Sequence, residues 1–214
     1  MPARIDHQHM RRAIALAHAR RGSTWPNPVV GCVIARGVDI LAEAATGPGG
    51  ANSAAQRLHA EEQALAGAGE AARDATAYIT LEPCAVRSSG RASCTDRLIT
   101  AGVARVAVAC ADPSPMAAGQ GLERLRGAKI VVETDLLADE ANHLYSGYRR
   151  RLVTGSPLVE AADGGTGFDT AFNLLSGESL TQALQRFGDV GYAHLWVERG
   201  GMLERMLRDQ GLLN

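Results

Sequence analysis

The chain has 214 residues, 46% of them hydrophobic, and its formal net charge is −1 at pH 7. This length suits one large domain, or one domain with an appendage, and the balanced charge argues against a broad surface for nucleic acid. The sequence shows no signal pattern and no apolar run of membrane-spanning length, and its four cysteines do not indicate a disulfide framework. We therefore expect a cytoplasmic protein that acts on a small molecule, without a nucleic-acid or membrane partner.

The first part of the chain predicts a helix and a β-hairpin. Asp6 is a suitable N-cap, and apolar residues then recur at helical spacing until Gly22. A proline-rich turn that carries Asn27 leads into an apolar strand, and the turn at 36–39 leads into a returning strand. The following residues, 46–57, are rich in Gly, Ala and Ser and predict a loop.

Helices and strands alternate over the next hundred or so residues. The pattern predicts strands at 76–81, 103–109 and 128–132, and helices at 58–68, 97–101, 122–126 and 136–152. Alternation of this kind implies a sheet that is covered by helices on both faces.

Four residues in this region have the chemistry of a zinc hydrolase. His59, Cys84 and Cys94 supply one imidazole and two thiolates, which suit Zn2+ and leave the fourth tetrahedral position open for water. Glu61 lies two residues past the histidine, where a zinc deaminase has its proton shuttle. A lone histidine and two cysteines are also common as ordinary packed residues. The four together, with Pro83 directly before the first cysteine, favour a catalytic zinc site.

These motifs belong to a longer resemblance, over roughly residues 6–150. The chain resembles the deaminase domain of the bifunctional riboflavin-biosynthesis deaminase/reductase family, within the cytidine-deaminase-like superfamily. The matching segments are Pro26-Asn27-Pro28-Val29-Val30-Gly31, His59-Ala60-Glu61, Thr80-Leu81-Glu82-Pro83-Cys84, Gly90-Arg91, Cys94, Asp112-Pro113 and Gly119-Gln120-Gly121. The long spacing between the two cysteines is more specific than the zinc motif itself, because nucleoside, tRNA and polynucleotide deaminases usually place two residues there.

The resemblance implies both a fold and a reaction. The fold is α/β, a three-layer α/β/α sandwich around a five-stranded mixed sheet, and the reaction is hydrolytic removal of an amine from a diaminopyrimidinone ribosylamino phosphate. The resemblance makes His59, Cys84 and Cys94 the zinc ligands, Glu61 the proton shuttle and Asn27 a contact to the pyrimidine. An asparagine between two prolines is also an ordinary turn residue. We further expect a homo-oligomer, a dimer.

Two loops depart from the family pattern. Val86 stands where the family has a histidine, the loop that follows is longer, and residues 46–58 lack the histidine that the family commonly has there. Because these groups serve substrate and phosphate, the departures leave the exact substrate open. Arg87, Arg91 and Arg57 are candidates to bind a phosphate, since a guanidinium can hold an oxyanion through two hydrogen bonds. As loop arginines they could equally be solvated.

The sequence predicts a domain boundary near residue 152. Residues 1–152 form the expected zinc-dependent deaminase domain, and residues 153–214 form a small C-terminal α/β appendage that resembles a reduced remnant of the family's reductase domain. This appendage reads as helix, strand and helix, which is small for an independent core. It has no complete nicotinamide site, so no reductase activity is expected. The basic run Arg149–Arg151 is interpreted as a helix C-terminus that interacts with the helix dipole.

Three functions are compatible with the sequence. The first is a zinc deaminase of a riboflavin-type aminopyrimidine, or of a relative in a specialised pathway. The second is a deaminase of another small substrate, such as a guanine-like base or nucleoside, which would show no dependence on phosphate. The third is a non-catalytic scaffold that keeps the fold, although a scaffold would have no need of Glu61.

Overall fold

The computed structural model describes four stretches of the chain: residues 2–50, 58–87, 90–114 and 118–214. The first unit contains α1 (Pro2–His18), β1 (Gly31–Arg36), β2 (Asp39–Ala45), α2 (Ala60–Ala68), β3 (Thr76–Leu81), α3 (Cys94–Ala101), β4 (Arg105–Cys110), α4 (Gln120–Gly127), β5 (Val131–Glu133), α5 (Ala138–Ala141) and α6 (Ser146–Thr154). The second contains β6 (Leu158–Ala162), β7 (Thr170–Ala171), α7 (Leu180–Val190), β8 (His194–Glu198) and α8 (Met202–Asp209). Within the described stretches, no helix has the length and apolar character needed to cross a bilayer.

The first unit is built on a mixed sheet of five strands in the order β2-β1-β3-β4-β5. The pairs that involve β1 are antiparallel, whereas β3, β4 and β5 run parallel. Neighbouring residues of a strand point to opposite faces, so Ile34 packs into one buried cluster and Val33 into another. Helices therefore cover both faces of the sheet, and the predicted three-layer α/β fold is confirmed.

A close contact between α1 and β1 depends on a missing side chain. A Cβ built on Gly31 would lie 1.9 Å from the carbonyl oxygen of Ala13, well inside van der Waals contact. Only glycine lets the helix backbone approach the start of β1 this closely. Since this strand follows the Asn27 turn, the contact also sets where that turn ends.

Replacing Gly31 by alanine is expected to lower the free energy of unfolding by about 1–3 kcal/mol, the usual cost of overpacking a rigid core. Gly127→Ala serves as the control, because a Cβ at this helical position would meet no described atom within 4 Å. Urea unfolding of both variants measures the difference. Equal stability of the two variants would contradict the packing argument.

One predicted helix is wrong in its extent. The stretch 136–152 is not one helix but α5, a 3-10 helix at Asn142–Tyr145, and α6. The side chain of Asn142 is held at this break, where it accepts hydrogen bonds from Arg149 at 2.6 Å and from the Cys110 thiol at 3.5 Å. These contacts come from tertiary structure and are not visible in the helical periodicity.

The second unit is more regular than its sequence suggests. Its three strands form a parallel sheet in the order β6-β8-β7, where only one strand was expected. Apolar residues of this sheet and of α7 and α8 form a buried cluster of their own, with Val159, Leu195 and Leu207 almost fully buried. This stretch, expected to be small for an independent core, thus has a buried apolar cluster of its own.

In the basic run before this unit, Arg151 lies in the last turn of α6, as expected, and all three arginines also make specific hydrogen bonds. Arg149, Arg150 and Arg151 donate to Asn142, to the Pro157 carbonyl and to the Pro26 carbonyl respectively. The run therefore makes specific contacts between chain segments.

Candidate active site

His59 and Glu61 are placed by the start of α2. His59 is the N-cap residue, with extended backbone angles of φ −73° and ψ 157°, and the helix begins at the next residue. Glutamate, glutamine, alanine and leucine in the segment that follows all favour the helix. Glu61 lies in the first turn, where the N-terminal end of the helix dipole favours a negative charge. His59 and Glu61 are therefore both placed by the N-terminal end of α2.

The two cysteines come from β3 and α3. Cys84 follows the end of β3, and its carbonyl accepts hydrogen bonds from the Thr95 amide at 3.2 Å and the Thr95 hydroxyl at 3.0 Å. Cys94 is the first residue of α3, which Ser93 and Asp96 start with a reciprocal capping box. The Cys94 amide donates to the Cys84 sulfur at 3.3 Å. Backbone contacts on both sides thus fix the two thiols next to each other.

The three predicted ligands converge on one point. The Nδ1 atom of His59 lies 3.2 Å from the Cys94 sulfur and 3.7 Å from the Cys84 sulfur, and all three ligand atoms lie within 4.8 Å of one another. Tetrahedral zinc with its usual bond lengths places a nitrogen and a sulfur ligand about 3.5 Å apart. The residues therefore fit a zinc ion with three protein ligands.

The cysteines differ in their acidity. Hydrogen bonding from Cys94 lowers the pKa of Cys84 to about 4, with a further contribution from His59 and against the effect of burial. The pKa of Cys94 is raised well above its usual value by the same interaction with Cys84 and by burial. The lowered pKa of Cys84 favours its thiolate, the form of cysteine that binds metals.

Glu61 faces a cavity of about 170 Å³ beside the ligands. Its side chain is buried, and burial raises the pKa of this carboxyl group. Its Oε2 atom has no hydrogen-bond partner among the described residues. Asn27 and Thr46 also line this cavity. The Oε2 atom is therefore open to a water molecule or a substrate as far as the described part of the chain is concerned.

Residues 3–110 match the family described as the cytidine and deoxycytidylate deaminase zinc-binding region. The chain belongs to this family. The zinc predicted from His59, Cys84 and Cys94 is confirmed as the metal of the family, and the structure has these residues in position to bind it. The reaction class of the family is hydrolytic deamination.

Several relatives of this chain are proteins of riboflavin biosynthesis. The chain is 44% identical over 175 residues to the riboflavin biosynthesis protein RibD of Escherichia coli. This alignment covers 81% of the chain and 45% of RibD. The chain is 39% identical to a diaminohydroxyphosphoribosylamino-pyrimidine deaminase of Buchnera aphidicola, over 70% of this chain and 97% of that protein. One crystal form of Acinetobacter baumannii RibD aligns with a TM-score of 0.67 and 39% identity, over 82% of this chain and 45% of RibD. The chain thus spans about half the length of the RibD proteins.

Two of the candidate phosphate ligands in this chain contact an acidic residue. Arg87 donates to the Glu62 carboxylate at 2.8 Å, Arg91 contacts the same carboxylate, and Arg97 of α3 lies 3.0 Å from it. Arg87 is only 6% exposed, and Arg91 is 36% exposed. The third candidate, Arg57, lies outside the described residues. We call Glu62, Arg87, Arg91 and Arg97 the Glu62 cluster.

Sequence reasoning missed three titratable residues that line this cavity: Glu82, Asp112 and Tyr148. The Oε2 atom of Glu82 accepts from the Gly119 amide at 3.1 Å, and its buried Oε1 atom has no partner in the described stretches. Burial raises the pKa of Asp112. A usable signal was present, because Glu82 and Asp112 directly follow parallel strands, and the carboxyl ends of such strands meet at one edge of a sheet.

Proposed function

We propose that this chain is a zinc-dependent deaminase of a riboflavin-type aminopyrimidine. The observation that carries the proposal is the approach of His59, Cys84 and Cys94 to within 4.8 Å of one another beside the unpartnered Glu61 oxygen. The ligands leave one position open, which a structural zinc site would not. The name of the Buchnera relative, at 39% identity, supports the substrate class.

In the proposed reaction, water replaces an exocyclic amino group, so that a C–N bond breaks, a C–O bond forms and ammonia leaves. Zinc held by His59, Cys84 and Cys94 supplies a Lewis acid that lowers the pKa of water to about 7. Glu61 takes a proton from the attacking water and delivers a proton to the departing nitrogen. Its raised pKa suits this role, because a group that both accepts and donates works best near the ambient pH.

The cavity favours a substrate with one small ring at the reacting position. Its volume of about 170 Å³ is similar to that of an engineered cavity of about 150 Å³ that binds benzene. The Asn27 side chain lines it and offers both a donor and an acceptor, which suits the edge of a heterocycle. The carboxylates Glu82 and Asp112 add acceptors for N–H groups, of which a diaminopyrimidine has several.

Ammonia release from a panel of aminopyrimidines tests the proposal. Each compound is supplied with and without its ribosyl phosphate, and a guanine-like base and its nucleoside are included. Fastest release from the diaminopyrimidinone ribosylamino phosphate would support the proposed substrate class. Absence of release from every compound by zinc-loaded protein would favour the scaffold hypothesis.

The pairing of arginines with Glu62 in the Glu62 cluster keeps a second candidate substrate class open, an unphosphorylated base or nucleoside. Arg87 and Arg91 are both engaged with Glu62, and neither lines the cavity in the structure. The cluster nevertheless joins three cations to one anion, so it retains an excess of two positive charges. The excess charge supports binding of a phosphate, whereas the pairing supports a purely structural role.

Replacing Arg91 by alanine distinguishes these roles. If Arg91 binds the phosphate, the KM of the phosphorylated substrate rises about ten- to hundredfold, as expected from loss of a charge-assisted hydrogen bond, and that of the unphosphorylated analogue changes little. Arg97→Ala is the matched control, because Arg97 also contacts Glu62 but belongs to α3. Steady-state kinetics with both substrates measures the effect. Equal changes with both substrates would show that Arg91 shapes the loop instead.

We also propose that residues 153–214 are a reductase-like remnant without reductase activity, and that the protein forms a homodimer. The first proposal is supported by the alignment with a second crystal form of Acinetobacter RibD, which covers 99% of this chain at 27% identity and a TM-score of 0.68. A nicotinamide oxidation assay and light scattering would test the two proposals.

A further inference from the structure

The segment between α1 and β1, residues 22–29, carries the predicted pyrimidine contact. We call it the Asn27 loop. Its own turn is closed by the Asn27 amide, which donates to the Thr24 carbonyl at 3.2 Å, and by the Thr24 hydroxyl, which donates to the Asn27 carbonyl at 3.1 Å. The amide of Gly49 holds one side of the loop through the Ser23 carbonyl at 2.7 Å. These bonds define the turn but leave its apolar side chains to be covered by other parts of the chain.

The C-terminal unit covers this apolar side. The ring of Tyr192 lies against that of Trp25, with 4.3 Å between the centroids. The backbone at Gly191 lies close to Pro26, since a Cβ built on Gly191 would lie 2.4 Å from the Cβ of Pro26. Gly191 also has a φ of +104°, a conformation that disfavours other residues. Glycine at this position therefore allows the turn before β8 to meet the proline next to Asn27.

A hydrogen bond reinforces the apolar contact. Arg151, at the end of α6, donates from Nη2 to the Pro26 carbonyl at 3.2 Å. The accepting carbonyl belongs to the peptide bond that joins Pro26 to Asn27. The loop is thus held by one aromatic ring and one glycine of the C-terminal unit and by one guanidinium of α6.

The turn that presents Tyr192 is itself held in place. The Asp169 carboxylate accepts from the amide of Ala193 at 2.7 Å and from that of His194 at 2.9 Å. The His194 ring in turn contacts Arg21 at 3.0 Å, directly before the Asn27 loop. The second unit therefore has a supported turn aimed at this loop.

We propose that residues 153–214 position the Asn27 loop for substrate binding, with Tyr192 as the principal positioning residue. The proposal rests on the proposed function, because it assumes that Asn27 contacts the heterocycle. It assigns the C-terminal unit a role that requires no reductase chemistry. Loss of the Tyr192 ring lets the Trp25 side of the loop move, so the substrate binds less tightly while the zinc ligands on α2, β3 and α3 stay in place.

Tyr192→Ala tests the proposal in a Trp196→Phe background. The chain has two tryptophans, so Trp25 is then its only tryptophan and reports directly on the loop. We expect a red-shifted Trp25 emission, stronger quenching by acrylamide and a KM raised about three- to tenfold, in keeping with the size of an aromatic pair. Zinc content stays at the parental value, and kcat falls less than KM rises. Tyr192→Phe keeps the ring and restores the parental emission and KM.

Phe172→Leu is the control for a general loss of stability. Phe172 packs on Phe187 within the core of the same unit, with 5.7 Å between the ring centroids. A KM raised equally by this variant would overturn the positioning role, as would parental emission and KM in Tyr192→Ala. If the parental protein deaminates none of the tested substrates, the proposed function fails. The Trp25 emission and quenching still decide whether Tyr192 holds the loop.

Discussion

Replacing Glu61 by glutamine is expected to lower kcat by at least about 10²–10⁴-fold, the range for loss of a general acid/base. The amide keeps the shape of the side chain but cannot take a proton from water at neutral pH. Zinc content and thermal stability should remain near the parental values, because Glu61 is not among the three converging ligands. Steady-state ammonia release gives kcat, and metal analysis and thermal unfolding of the same sample give the other two quantities.

Glu70→Gln is the matched control for the Glu61 variant. It makes the same chemical change on an exposed residue in the 3-10 helix that follows α2. We expect parental turnover from this variant. Near-normal turnover by Glu61→Gln would mean that another group moves the proton, and Glu82 would be the next candidate, because its Oε1 atom is buried and has no partner in the described part of the chain.

Replacing either Cys84 or Cys94 by alanine is expected to remove most of the zinc, from about one ion per chain. Two remaining ligands hold zinc poorly, and no described His, Cys, Asp or Glu outside the triad belongs to a group that could hold a metal ion. Activity should fall with the metal. Elemental analysis after dialysis against a weak chelator gives the zinc content directly.

Cys110→Ala is the control for removal of a thiol. Cys110 is also free and buried, but it lies at the end of β4, where its sulfur contacts Asn142. This variant should keep its zinc. Full zinc occupancy in both the Cys84 and the Cys94 variant would show that the ligands have been assigned wrongly.

The zinc triad could be predicted because its information is local. His59 and Glu61 begin one helix, and each cysteine adjoins a strand end or a helix start with its own sequence signal. Val and Ile patterns likewise predicted the strands of the first unit and the β1–β2 hairpin. In these places neighbouring residues decide the structure, so periodicity and capping are sufficient.

The Glu62 cluster could not be predicted in the same way. Arg87 and Arg91 have the composition of an anion-binding loop, and nothing near them in sequence indicates that a glutamate on α2 contacts both. The two-residue strand β7 and the break at Asn142 were not predicted for the same reason. Each is set by partners distant in the chain, and the local pattern is too short or too regular to reveal them.

The way the two cysteines are anchored also bears on how much the stretch between them can vary. Thr95 holds the Cys84 carbonyl, and the Ser93–Asp96 capping box holds Cys94, so each sulfur is fixed from the start of α3 and its N-cap. These contacts involve no residue of 85–92. We therefore expect changes in the length of that stretch to leave both ligands in place, so that the metal site and the loop before α3 are separable parts of the chain.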